Sequence, residues 1–415
     1  MSELVRGLAM AACALVGGGA ERTARAATPP VSGDWTVDTS WLSYVETDDR
    51  VAVAKSMGNL SRRLDDGSVT VSLVHDTMSG ASPTGAIRSD DAAVTYTGAS
   101  GGGGFAAVGG ADGSRGAFED TRVQAGIGVE RETSRTLTAS FGGVVSRESD
   151  YESIGADVGI SRSRTDRLGS VDAGLAFTVD SIHRADGGHT PEPLGEVGRA
   201  RRFEPGQRRT VETRVGVSRV LNRRTVAELG ATLGLSQGYH SDPYKVVSVA
   251  DVEDRLIVDL HDSRPTSRLR TSLQGRLVHQ LADSVDSLHL TYRLYRDDWG
   301  ILSNTLDARY RHALTREQYL EPHVRLYRQG KADFLVRKID IDDTLAPVLP
   351  EDGFASADYR LDAMRTVTIG IKYGIALGER TDFRVRAEIV DQRFETVDED
   401  RNRATVLQTS LRHRF

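Results

Sequence analysis

Charged side chains recur at every second position along many stretches of this chain, and their spacing is the first clue to its chemistry. Arg270, Arg276, Arg293, Arg309, Arg311 and Arg325 fall on the polar face of successive alternating segments. Arg214, Lys372, Arg384, Arg386, Arg412 and Arg414 share the pattern, and the acidic companions Glu212, Glu228, Asp307, Glu321 and Glu388 are fewer. A water-facing wall with an excess of guanidinium groups favours anions. The competing reading is an Arg–Glu ladder that stiffens the wall and selects nothing, because charges are ordinary on the polar face of such a sheet.

Other reactive side chains cluster between the alternating segments. Asp242-Pro243, His261-Asp262 and Asp297-Asp298-Trp299 could bind a divalent cation or act as an Asp/His hydrolytic pair. His261 and Asp262 are adjacent, which is poor geometry for a dyad, and hydrogen bonding between loops is the simpler role. Asp340-Ile341-Asp342-Asp343 resembles part of a calcium loop but lacks its central Gly and terminal Glu. Neither G-x-S-x-G nor His-Glu-x-x-His occurs. The run Gly101-Gly102-Gly103-Gly104 has no Lys-Ser/Thr after it, so it is a surface loop rather than a phosphate cradle. No metal, cofactor or catalytic residue is expected. The arginines form no basic helix, which argues against nucleic acid.

The elements that position the arginines are β-strands. The last stretch, Ala404 to Phe415, shows this most clearly: Thr405, Leu407, Thr409, Leu411, His413 and Phe415 face one way, and Val406, Gln408, Ser410, Arg412 and Arg414 the other. The same alternation runs back through Phe383–Ile389, Val367–Tyr373, Leu320–Leu326, Leu302–Tyr310, Leu288–Leu294 and Leu269–Leu277, and through the segments from Thr121 to Leu235. Trp35 to Val45 is a first strand, and Arg50 to Met57 and Ser68 to His75 are less regular ones. Short turns near Glu132, Asp166, Asn222, Ala282, Thr315 and Gly378 alternate with longer connections. The long ones are Thr77–Phe118, His183–Arg208, Tyr239–Thr266 and Gly330–Asp362.

In lipid no water satisfies a strand edge, so an amphipathic sheet of this size must close on itself. The fold class is all-β: a transmembrane antiparallel β-barrel of about 16 strands with long extracellular loops and both chain ends in the periplasm. The mean hydropathy of −0.35 excludes a bundle of membrane-spanning helices. Residues 1–26 read as a secretory signal peptide, with an apolar run from Leu8 to Val16 and Ala24-Arg25-Ala26 before the cleavage point; residues 27–415 form the barrel. The single cysteine, Cys13, lies in that leader, so disulfides and thiolate chemistry are excluded from the mature chain.

Two resemblances add to this reading. The final strand, ending on Phe415, resembles the insertion signal of bacterial outer-membrane barrels, with His413 as a departure. It implies outer-membrane lipid as surroundings and the barrel-assembly machinery as a partner. Five stretches, taken in order, resemble bacterial outer-membrane proteins of domain-of-unknown-function family 3570. They are Asp76–Ala86 (DTMSGASPTGA), Gly238–Lys245 (GYHSDPYK), His261–Pro265 (HDSRP), Tyr295–Ile301 (YRDDWGI) and Lys331–Phe334 (KADF). The family implies a barrel in the Gram-negative outer membrane and supplies no activity, with envelope redox or metal-handling proteins as partners. The expected function is a porin-like or transport channel for small, anionic solutes, with Thr77–Phe118 as its plug. The alternatives are a non-conducting structural or partner-docking barrel and, behind both, an outer-membrane hydrolase.

Overall fold

The computed structural model describes residues 33–48, 50–87, 95–97, 104–106, 115–184, 189–197, 199, 206–281, 284–397 and 400–415. The leader expected at 1–26 lies outside them. Sixteen antiparallel strands close into one barrel. They begin with β1 (Trp35–Glu46), β2 (Val51–Leu64) and β3 (Gly67–Pro83). A separate short pair, β4 (Thr95–Thr97) and β5 (Gly104–Ala106), follows. The wall continues with β6 (Arg115–Ser134), β7 (Leu137–Arg147), β8 (Tyr151–Ser163), β9 (Gly169–Ile182), β10 (Gly206–Asn222) and β11 (Thr225–Gly238). A loop hairpin, β12 (Val246–Ala250) with β13 (Leu256–His261), precedes β14 (Ser267–Gln280), β15 (Ser287–Asp297), β16 (Leu302–Ala313) and β17 (Gln318–Gln329). One 3₁₀ turn, Tyr359–Leu361, leads into β18 (Met364–Ala376), β19 (Thr381–Phe394) and β20 (Arg401–Arg414).

Closure is made by β1 on β20, in continuous register from Thr36↔Arg414 to Glu46↔Ala404. The ladder therefore has no free edge, as a wall in hydrocarbon requires. Side-chain alternation sorts the two faces. Leu73, Ile127, Phe141, Ile154, Val171, Leu229, Leu273, Ile369 and Ile389 are all exposed, and all point outward. A soluble protein would bury such residues; on a closed barrel they form the lipid belt. The start of β1 and the end of β20 lie on the side of the short turns, and the long connections lie on the other.

One sequence expectation is corrected at its edges. Asp76–Ala86 was expected to head a loop, yet β3 runs to Pro83 and pairs with β6 as far as Pro83↔Arg115. The Ser, Gly and Pro in this stretch suit a loop, but the ladder with β6 overrides them. The rest of the expected plug, Thr77–Phe118, lies largely outside the described residues.

The facing assignment has a direct test. Leu273→Arg puts a cation in the lipid belt and should cost roughly 2–4 kcal/mol. Gln274→Glu, one residue on and facing inward opposite Arg293, should cost no more than about 0.5 kcal/mol. Urea titration of the barrel in phospholipid vesicles measures both.

Candidate functional site

The arginines singled out from sequence come together on one lumen wall. Arg270 and Arg276 lie on β14, Arg293 on β15, Arg309 and Arg311 on β16, and Arg325 on β17, all pointing inward in the registers Arg270↔Asp297, Gln274↔Arg293, Arg293↔Thr305 and Asp307↔Arg325. Their partners differ. Arg276 pairs with Glu228 at 3.3 Å and Arg309 with Asp307 at 3.0 Å. On the same wall Lys372 pairs with Glu321 at 2.7 Å, Arg386 with Glu388 at 3.5 Å and Arg412 with Asp38 at 2.6 Å. Arg293 and Arg325 have no carboxylate within 4 Å among the described residues; Arg293 lies 5.9 Å from the Tyr295 ring. The wall is thus part ladder and part unneutralised charge.

His323 was legible only as a lumen-facing residue. Its Nε2 lies 2.8 Å from Asp307 Oδ2 and its Nδ1 2.8 Å from Glu388 Oε1. Each ring nitrogen donates to a carboxylate, so this arrangement holds an imidazolium. It ties β16, β17 and β19 into one network.

The opposite wall is built from small residues. Gly126, Gly128, Gly142, Gly155, Gly159, Gly174, Gly216, Gly230 and Gly234 all face inward on β6 to β11. Along β10 and β14, burial of the inward side chains falls from the loop end to the middle of the lumen. Along β10, Arg208 and Thr210 are buried, Glu212 is half-buried and Arg214 is exposed. Along β14, Arg268 is buried and Gln274 is exposed. Asp157 and Arg293 are also exposed and inward-facing. Inward side chains in the middle of the lumen are exposed, and those at its loop end are buried.

A cap closes the loop end, and it is not the expected one. The connections 239–266 and 330–363 fold across the mouth around a buried core of Val247, Val249, Leu260, Ile339, Ala355 and Ala357. A second core joins Trp299 and Ile301 to Ala332, Phe334, Leu335 and Leu361. Val246 N donates to Thr84 O at 2.9 Å, and Leu194 N to His261 O at 3.1 Å. Tyr359 packs edge-on against Phe394 at 5.4 Å and under Arg50 at 5.5 Å. The cap therefore reaches the rim on several sides.

Ion pairs hold the cap. Arg264 donates to Asp262 at 2.6 Å and to Asp358 at 2.8 Å. Arg360 reaches Asp242 at 2.7 Å and pairs with Asp358. Asp242 N donates to Asp262 Oδ2 at 3.0 Å. Burial alone would raise the Asp358 carboxyl, but Arg360, Arg264 and Lys245 overcome it and hold the group far below the usual carboxylate range. Burial pushes the Lys245 ammonium down to about 8 despite Asp358.

The five motif stretches meet here. Asp297 pairs with Arg268 at 2.6 Å, accepts from Tyr295 Oη at 2.9 Å and caps its own turn through Ile301 N at 2.9 Å. Gly300 has φ +87°, and a Cβ there would come 2.2 Å from Asp333 Oδ1, so the YRDDWGI turn docks on KADF only with glycine. Asp333 N donates to Trp299 O at 2.9 Å. His240 meets Trp299 edge-on at 5.6 Å. Asp76, on the wall below, takes a bidentate pair from Arg122.

The family model described as Protein of unknown function (DUF3570) matches residues 5–408. The chain belongs to that family. No curated protein matches the sequence. Among solved structures the chain is similar to a bacterial polysaccharide outer membrane secretin, with a TM-score of 0.45, 7% identity, and 93% of this chain and 100% of that one covered. It is also similar to the siderophore receptor of Acinetobacter baumannii (TM-score 0.43, 9% identity, 88% and 54% covered). A third is the ferric enterobactin receptor of Pseudomonas aeruginosa (TM-score 0.41, 11% identity, 88% and 55% covered). The DUF3570 chain spans about half the length of the two receptors.

In the DUF3570 barrel the Asp/His pairs expected near the rim do lie there, but they form no dyad. Asp262 is engaged by Arg264 and Asp242 N, and His261 makes no hydrogen bond to Asp262. Burial, then Arg184, depresses the His261 ring to about 4, so it is neutral. Asp342 accepts from Thr344 and Ala346 of its own turn. Asp358 and Arg360, central to the cap, were not singled out from sequence; a short DYRLD run inside a loop carries no pattern that marks it.

Two predictions follow from the cap's electrostatics. Arg264→Ala leaves buried carboxylates short of a cation, a change typically worth roughly 3–5 kcal/mol. The cap should loosen while the ladder stays intact: protease cleavage within 331–362 should speed up by more than about tenfold, with gel mobility of the folded barrel unchanged. Below the cap, burial and then Asp120 raise Glu148 to about 8 and Asp150 to about 7. A raised carboxyl stabilises the fold below its unfolded pKa, and that contribution is lost as pH rises through the folded value. Glu148→Gln should therefore raise stability by roughly 1–3 kcal/mol at pH 9 and change it little at pH 4, as read from urea midpoints.

Proposed function

We propose that this barrel sits in the outer membrane of a Gram-negative bacterium and passes small anionic solutes through a basic lumen with a gated outer mouth. Its short turns and chain ends face the periplasm in this reading, and the barrel-assembly machinery takes up the last strand through Phe415. The observation that carries the proposal is the charge asymmetry of the wet lumen. Arg293 and Arg325 face the water-filled space without an acidic partner within 4 Å among the described residues, across from a wall of glycines. A barrel of 16 strands is wide enough for an aqueous path, and unneutralised guanidinium groups lining it draw anions in and hold back cations. Arg276, Arg309, Lys372, Arg386 and Arg412 on that wall are paired and stiffen it.

The buried cap favours a second reading, a non-conducting barrel that docks a partner at its loop end. Planar-bilayer recording separates the two. The native protein should open rarely, and the Arg264→Ala cap variant often. Reversal potentials in a salt gradient should show anion preference, and replacing Arg270, Arg293 and Arg325 with Ser should bring the permeability ratio toward unity. A folded cap variant that never conducts would leave the docking barrel as the account.

A further inference from the structure

At the short-turn end of the lumen, Arg311 is only 8% exposed and has neither a carboxylate within ion-pair distance nor a hydrogen-bond acceptor among the described residues. A buried charge is ordinarily paired, so the exception calls for a ligand. The pairs Arg309↔His323 and Ala313↔Tyr319 set Glu321 level with Arg311. Glu321, however, is engaged by Lys372 at 2.7 Å. Arg311 instead lies over the face of Tyr319, 3.7 Å from the ring centroid.

The wall is shaped for this stack. Tyr319 stands opposite Gly374 in the ladder, and a Cβ at Gly374 would fall 2.2 Å from the ring. The bare glycine lets the ring lie against the sheet, and the ring's face supports the guanidinium. A guanidinium held through its face keeps its in-plane N–H groups available, and these form the fork that fits a carboxylate or phosphate edge. They border a recess of about 20 Å³ that Arg316, Arg384, Glu317 and Asp382 also line. Guanidinium groups thus outnumber carboxylates around it.

We propose that this recess binds a small oxyanion, the carboxylate or phosphate group of a solute, with Arg311 supplying the bidentate fork and Arg384 a second charge. The site deepens the transport reading by placing a docking point at the inner mouth. The two fail separately: binding without conductance would sink transport, and conductance without binding would sink this site.

The test is calorimetric titration of the refolded protein in zwitterionic detergent with inorganic phosphate and with acetate. Saturable binding is expected, weakened about tenfold or more by Arg311→Lys, which keeps the charge and loses the fork. Arg311→Ala should abolish it, and Arg365→Ala, at the far rim, should leave it unchanged. If Arg311→Ala does not fold, Arg311→Lys with native gel mobility decides alone. Absence of binding in the native protein, or equal binding in the Arg311 variants, would overturn the proposal. Heat only from phosphatidylglycerol mixed micelles, and none from the free anions, would assign the recess to a lipid headgroup and overturn the solute site.

Discussion

The structure depends on the pairing of its first strand with its last. Lipid offers no hydrogen-bond partner, so every backbone N–H and C=O in the wall must be met by a neighbouring strand. β1 on β20 meets the final edge. Once the ring is closed at 16 strands, the interior is too wide for side chains from opposite walls to fill it. The chain handles that space in two ways. Near the loop end it fills the lumen with ion pairs and a folded cap, and further down side chains such as Arg214, Gln274 and Arg293 stay exposed between a charged wall and a glycine-rich one.

The cap is an ionic structure built on a small apolar core. Asp242, Asp262, Asp358, Arg264 and Arg360 come from two loops that approach each other only when both fold inward over the mouth. A buried set of this kind stabilises less by attraction than by the penalty for leaving any member alone. It acts as a latch, firm while complete and weak once one cation is withdrawn. The ladder below is closed by its own backbone pairing and does not rely on it.

Much of this was legible in the sequence because a strand's period is local. Phe383–Ile389 and Leu288–Leu294 announce their outward and inward faces without reference to any neighbour. The even strand count and the segregation of short and long turns follow from that pattern. Thr77–Pro83 was misread because Gly80 and Pro83 carry loop chemistry, while the ladder with β6 that holds them is not local. The six arginines face inward on β14 to β17, and which of them are neutralised depends on cross-strand partners such as Glu228 for Arg276. The motif stretches could be named but not assigned, since Gly300 acquires its meaning only when Asp333 arrives from a separate loop.

We propose a lumen that favours anions, closed at the loop end and entered from the short-turn end. The sequence offers Cys13 as its one cysteine, so with Cys13 replaced by Ser a single introduced thiol reports cleanly. We would measure labelling of Gln274→Cys by a small anionic methanethiosulfonate in vesicles of defined orientation, against its cationic analogue. The account predicts fast labelling from the short-turn side, slower labelling from the loop side, and preference for the anionic reagent. Labelling as slow as at Leu273→Cys on the lipid face, or faster from the loop side, would contradict it.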